Sequence, residues 1–188
     1  TETSIIEKNQ LNCNITDSVT CIIDNKCIDS PNFMVIPPLN AENITKFVMT
    51  LESKVEFVPN NIGAAFSNLF IMVLSQNAIK TLSKPEFSHL FNLENLYLDG
   101  NFIETIAEDA FDDLKNLKLL DLDYNHILKI HPGTFRSLVK VEKISIHNNN
   151  LTTLDAKTFA NNRNVNRIML QHNKIRILSP HMLENLQS

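Results

Sequence analysis

The sequence predicts an α/β-type solenoid: a right-handed, curved stack of coils with one short parallel β-strand per coil on the concave face. The convex side is expected to be irregular, 3-10 or polyproline backbone. Three observations predict this. Apolar residues recur at fixed places in five successive copies, opened in turn by Leu69, Leu93, Leu117, Val141 and Val165. An asparagine holds the same place in every copy, and a Phe or Leu follows it ten residues later. Asparagine numbers 25 in 188 residues, a share that marks it as a structural letter.

Residues 1–43 are expected to form an N-terminal cap holding all three cysteines, Cys13, Cys21 and Cys27. Leu11–Ile15 and Val19–Ile23 flank Thr16-Asp17-Ser18 and read as a short hairpin. A hairpin sets Cys13 opposite Cys21, within the about 7 Å between Cα atoms that a disulfide needs. The alternative, Cys13–Cys27 with Cys21 free, stays open because sequence does not fix connectivity. A leftover Cys27 predicts pairing with another chain, as a homodimer or heterodimer.

The solenoid is expected over 44–188. Ile44, Phe47 and Met49 fit an atypical first coil, with Glu52 near the asparagine slot. Five regular coils follow at 69–92, 93–116, 117–140, 141–164 and 165–188. In the third, Leu117, Leu120, Leu122, Asn125, Ile127, Ile130, Phe135 and Leu138 carry the pattern. The fourth and sixth places alternate, as a strand with one apolar side requires. Asn77, Asn101, Asn125, Asn149 and Asn173 are expected to stack as a buried ladder. An amide donates and accepts at once, so it satisfies backbone groups that the turning chain leaves unpaired. Asn148, beside the ladder, is expected to be dispensable. Phe fills the wider convex side, where Pro85, Pro132 and Pro180 also fall because no strand there needs their N–H. Asn162 replaces an expected Leu and is expected to loosen that wall. No coil buries its own apolar edge, so the coils must stack.

The pattern L-x-x-L-x-L-x-x-N-x-L-x-x-L-x-x-x-x-F-x-x-L resembles the typical 24-residue class of extracellular leucine-rich-repeat proteins. That class includes Toll-like receptor ectodomains and secreted insect proteins. Val55-Glu56-Phe57-Val58-Pro59-Asn60-Asn61-Ile62-Gly63, with Phe66-Ser67-Asn68-Leu69, looks like the opening repeat of the insect members, such as the mosquito leucine-rich immune molecules. The resemblance covers roughly residues 44–188. It implies recognition without catalysis, in immune surveillance, receptor ectodomains, adhesion or guidance. A typical cap of the class has four cysteines, and this chain has three. The array stops after a complete coil at Asn185-Leu186-Gln187-Ser188, an edge that truncation or another chain would explain.

Composition excludes several functions. Net charge is −4 with 17 Lys plus Arg, against the footprint of a nucleic-acid binder. Only three Gly are present, so no Gly-rich loop cradles a phosphate, and no cofactor is expected. No run of about 18 apolar residues predicts a membrane-spanning helix. Sequons at Asn14, Asn43 and Asn150, beside clustered cysteines, predict an extracellular, glycosylated chain.

The third, fifth and seventh places of each coil should face the concave side. The candidate partner-binding residues there are Tyr97, Asp99, Leu119, Asp121, Asp123, Lys143, His147, Arg167, Met169 and Gln171. The face runs from apolar (Ile71, Val73) through acidic to basic. Asp121 is expected beside Lys143, and Asp123 beside His147, which would make binding sensitive to pH. Tyr97 and Leu119 would be apolar anchors. Reversing Asp121 to Lys is expected to weaken binding far more than reversing the convex Asp112. No metal site is expected: Asp99, Asp123 and His147 are spread over three strands. Ser145 and His147 share a strand without a nucleophile elbow, so no triad is expected. The expected function is a secreted, non-enzymatic module that binds a protein or glycoconjugate through the concave face or rim, in innate immunity. The alternative is a ligand-binding fragment of a membrane receptor or an adhesion or guidance ectodomain.

Overall fold

A computed structural model of the chain describes residues 10–12, 14–17, 20–23, 34–36, 41–49 and 55–178. Cys13, Cys27, Glu52, Pro180 and residues 179–188 of the last coil lie outside them. Strands β2 (Asn14–Asp17), β3 (Thr20–Ile23), β5 (Lys46–Met49), β6 (Ile71–Val73), β8 (Asn95–Tyr97), β10 (Leu119–Asp121), β11 (Lys143–Ser145) and β12 (Arg167–Met169) form one sheet of eight. Only β2 runs antiparallel to its neighbour. Strands β1 (Gln10–Asn12) and β4 (Met34–Ile36) pair apart from it, as do β7 (Thr81–Leu82) and β9 (Thr105–Ile106). Two single-turn helices, α1 (Ile62–Ala65) and α2 (Lys84–Phe87), fall between β5 and β6 and between β7 and β8 along the chain.

The repeat in the sequence is the register of the sheet. Met72, Leu96, Leu120, Ile144 and Ile168 are lateral partners in turn. The step lengthens at the N-terminal end, where Phe47 partners Met72 and Cys21 partners Phe47. Strand β3 therefore occupies a solenoid position, and the expected boundary at residue 43 falls inside the continuous sheet.

One apolar core runs the length of the stack. Phe47, Phe66, Phe87, Phe111, Phe135 and Phe159 are its largest fully buried side chains. Phe111 stacks on Phe135 at 6.3 Å, and Phe135 on Phe159 at 5.8 Å. Burying rings of this size contributes about 1.5–3 kcal/mol each.

Asparagines stitch the coils together. The Asn125 amide nitrogen donates to the carbonyls of Leu98, Leu122 and Asp123 at 3.0–3.1 Å, and its Oδ1 accepts from Ile103 N–H at 3.0 Å. Asn77, Asn101 and Asn149 repeat this arrangement, and all four are buried. Asn173 is half-buried. A second row, outside the expected ladder, does similar work. Asn68, Asn92, Asn116 and Asn164 each donate to a carbonyl of the preceding coil, 25 or 26 residues back.

Asn162 corrects an expectation. It is fully buried, and its amide donates to the carbonyls of Phe135 at 2.9 Å and Leu138 at 3.0 Å. It ties the convex wall to the previous coil instead of loosening it. Asn148 corrects another. It has φ 52°, as Gln76, Gly100, Tyr124 and His172 have comparable positive values, so the residue before each ladder asparagine is left-handed. Asparagine tolerates that region better than most residues.

Candidate functional site

Strands β5, β6, β8 and β10 bury alternate residues and turn the rest to the open side. In β3, β5, β6 and β8 the buried members are Thr20, Cys21 and Ile23, Phe47 and Met49, Met72, and Leu96. The lateral row on the open side reads Ile22, Val48, Val73, Tyr97, Asp121, Ser145, Met169. Its first four members are half-buried apolar side chains. Ile22 and Val48 are missing from the expected face, because their strands read as part of a cap and of an atypical coil. The signal for them is the pair of continuous apolar runs, Cys21-Ile22-Ile23 and Phe47-Val48-Met49, which place apolar residues on both faces of a strand. A parallel row reads Lys46, Ile71, Asn95, Leu119, Lys143, Arg167.

This register corrects the expected neighbour of Asp121. Its lateral partners are Tyr97 and Ser145, whereas Lys143 stands beside Leu119. No ion pair involves Asp121, Asp99, Lys143 or Arg167 among the described residues. Burial pushes the Asp121 carboxyl up to about 6, reinforced by the charges of Asp123 and Asp99 and opposed by the hydrogen bond from Asp123 N–H. That bond is 3.1 Å long. Asp99 accepts from Ser75 Oγ.

Asp123 and His147 do adjoin, but Asp123 is not the exposed partner-binding carboxylate that the sequence suggests. It is 7% exposed. Its Oδ2 accepts from Ser145 Oγ at 2.8 Å and meets His147 Nε2 at 2.7 Å, while Oδ1 accepts from His147 N–H at 2.8 Å. With its lone pairs occupied, it serves the structure. His147 is further held by the edge of Tyr124, with ring centroids 4.9 Å apart. Ser145 is fully buried, also against expectation. The order of groups is Ser–Asp–His, with the carboxylate in the middle. In a hydrolytic triad the imidazole must lie between, so that it can take the serine proton. Here the buried Ser145 hydroxyl meets the carboxylate and not the imidazole.

The basic end of the face opens into a cleft of about 380 Å³ lined by Glu94, Asn95, Lys118, Leu119, Glu142, Lys143, Asn166 and Arg167. Lys118 pairs with Glu94 at 2.9 Å. Arg167 and Gln171 are exposed, and Lys143, Leu119, Asp99, His147 and Met169 are half-buried.

Away from the concave face, Asp112 is not the neutral control it was expected to be. It accepts from Arg136 Nη2 at 2.9 Å and Ser137 Oγ at 3.0 Å. Burial acts to raise its carboxyl, but these bonds and the Arg136 and Lys84 charges hold it below the usual range. Of the sequon asparagines, Asn43 is exposed in a 3-10 turn, Ala41–Asn43, and Asn150 is half-buried. Asn14 lies in β2. Cys21 is buried and disulfide-bonded, which removes the alternative that leaves it free. Among the described residues, no cluster of His, Cys, Asp and Glu has the makings of a metal site, and no helix is long and apolar enough to cross a membrane.

Comparison with known proteins matches the family model described as "Leucine rich repeat" to residues 52–101, 91–149 and 139–188. Curated proteins return no match. Among solved structures, the LRIM1/APL1C complex, of mosquito immune proteins, is similar with a TM-score of 0.84 at 19% identity, covering 94% of this chain and 33% of that one. The APL1 leucine-rich repeat domain is similar with a TM-score of 0.82 at 19% identity, covering 94% of this chain and 46% of that one. The chain thus spans a third to a half of the length of these relatives. At such identity the likeness is one of fold.

Proposed function

Because the chain belongs to the leucine-rich repeat family, we propose that it is a secreted, non-enzymatic recognition module that holds a protein partner on its concave face, with a role in innate immunity. The observation that carries the reading is the open row Ile22, Val48, Val73, Tyr97, half-buried apolar side chains in register on four strands, leading to charges with no counter-ion among the described residues. A sheet face meant only for solvent would carry polar residues in that row. A protein partner is also what the LRIM1/APL1C complex has. The disulfide-bonded Cys21 and the sequon at exposed Asn43 support an extracellular setting.

The test is expression with a secretion leader in insect cells, followed by purification with the co-secreted partner. Binding by Val48→Glu and Asp121→Lys is compared with that by Glu104→Lys, a charge reversal at an exposed residue off this face. The concave reading expects the first two to lose at least about tenfold in affinity and the third to match the wild type. Loss only in Glu104→Lys refutes it. Glycosidase treatment of the secreted chain should lower its mass; no change would remove the glycoprotein reading.

A further inference from the structure

The order of side chains along the concave face restricts what can lie there. The row begins with four apolar positions, Ile22, Val48, Val73 and Tyr97. The next strand presents Asp121, with Asp99 close enough to raise its carboxyl by charge. The two strands after that present Lys143 and Arg167. None of these four charged groups has an ion-pair partner among the described residues. The complement of this face is therefore apolar, then basic, then acidic along the solenoid axis.

The spacing selects the partner's backbone. Neighbouring strands lie about 4.8 Å apart, so the four apolar positions span about 14 Å. A helix crossing the strands presents one side chain per turn at a step of about 5.4 Å, close to that spacing. It drifts by only about 2 Å over the apolar row. An extended chain repeats on one face every ~6.7 Å and drifts about 6 Å over the same distance. The strands are three or four residues long, about 10 Å, which is also the diameter of a helix with its side chains.

We propose that the partner element seated on the concave face is an amphipathic α-helix whose docking face reads apolar, then basic, then acidic, with its axis across the strands. Its apolar residues, at i, i+3, i+7 and i+10, lie over Ile22, Val48, Val73 and Tyr97. Its Lys or Arg, one turn on, reaches Asp121 and Asp99. Its Asp or Glu, a further turn on, meets Lys143 and Arg167. This rests on the concave reading above and goes further in naming the partner's chemistry.

The test uses three synthetic peptides of about 25 residues. The first is a stapled helix with the stated order. The second has the same composition and staple but exchanges the basic and acidic positions. The third has the first order with two central prolines, which prevent a continuous helix. Fluorescence anisotropy follows their binding to the whole chain and to Asp121→Lys, with circular dichroism melts as the folding control. The first peptide is expected to bind the wild type at least about tenfold tighter than the second, and about tenfold tighter than the third. Asp121→Lys should reverse the preference between the first two. Equal binding of the charge isomers, equal binding of the proline peptide, or no binding of the first at millimolar concentration overturns the proposal. The Val48→Glu result with the natural partner is separate. If that variant loses the partner while the helical peptide fails, the concave face stands and the helix falls.

Discussion

Asp121→Asn should make this protein more stable at neutral pH. The side chain is half-buried between Tyr97 and Ser145 and has no cation to offset it among the described residues. Its carboxyl rises from 3.8 to about 6. A folded-state value above the unfolded one means the native state favours the proton. The stability contributed by the protonated form is therefore fully present below about 3.8 and lost as pH climbs through about 6. About two units correspond to ~3 kcal/mol at roughly 1.4 kcal/mol per unit. Partial exposure screens the charge and reduces this to about 1–2 kcal/mol. Asparagine keeps an oxygen where Asp121 Oδ1 accepts the Asp123 N–H, so the change removes the charge and leaves the bond. Paired urea melts of wild type and variant from pH 3.5 to 8 give the difference directly, since titrations of groups away from Asp121 cancel. The gain should be near zero at pH 3.5, grow up to pH 6, and then stay flat. A variant that is less stable at pH 7.5, or a gain that does not change with pH, refutes the reasoning.

Asn125→Ala should cost about 1–3 kcal/mol, read as a lowered urea midpoint, because it orphans the buried Ile103 N–H, while the Leu98 and Leu122 carbonyls keep the Asn101 and Asn149 amides as donors. Asn148→Ala should cost about 1 kcal/mol, because its residue holds φ 52°, and an unchanged midpoint would contradict the left-handed backbone. Asn162→Ala should destabilise by about 1 kcal/mol in the same assay, since the Phe135 and Leu138 carbonyls keep the Leu138 and Val141 N–H and the change also removes the partnerless Asn162 Oδ1; a neutral result would mean the wall closes without it. Gly63→Ala would place its Cβ 2.1 Å from the Ser88 carbonyl oxygen, a backbone atom, and should cost about 1–3 kcal/mol or more.

The parts of the molecule legible in the sequence are those where one coil repeats the problem of the next. Leu96, Leu120 and Ile144 answer the same burial, so an apolar letter returns once per coil, and both core and register can be read from that. Legibility fails where the repeat does not fix the answer. The steps from Cys21 to Phe47 and from Phe47 to Met72 are each longer than the regular step from Met72 to Leu96, so the period leaves these two strands out of the regular face and with them Ile22 and Val48. Lateral neighbours in a parallel sheet stand one full period apart. Setting Lys143 beside Asp121 takes a step two positions short of that period, and so it invents a charge pair and conceals an uncompensated carboxylate. The left-handed residue before each ladder asparagine is marked only by Gly100, because Gln76, Tyr124, Asn148 and His172 accept the same backbone under pressure from their neighbours. The second row, Asn68, Asn92, Asn116 and Asn164, is readable in principle. It keeps the period, and the excess of asparagine asks for more than five ladder positions. A pattern built on apolar letters does not contain it. The concave face differs in kind from all of these. Its residues vary from coil to coil; on the proposed reading they answer to a partner and not to the coil beside them, so the repeat identifies where they stand and their chemistry is what the binding experiments test.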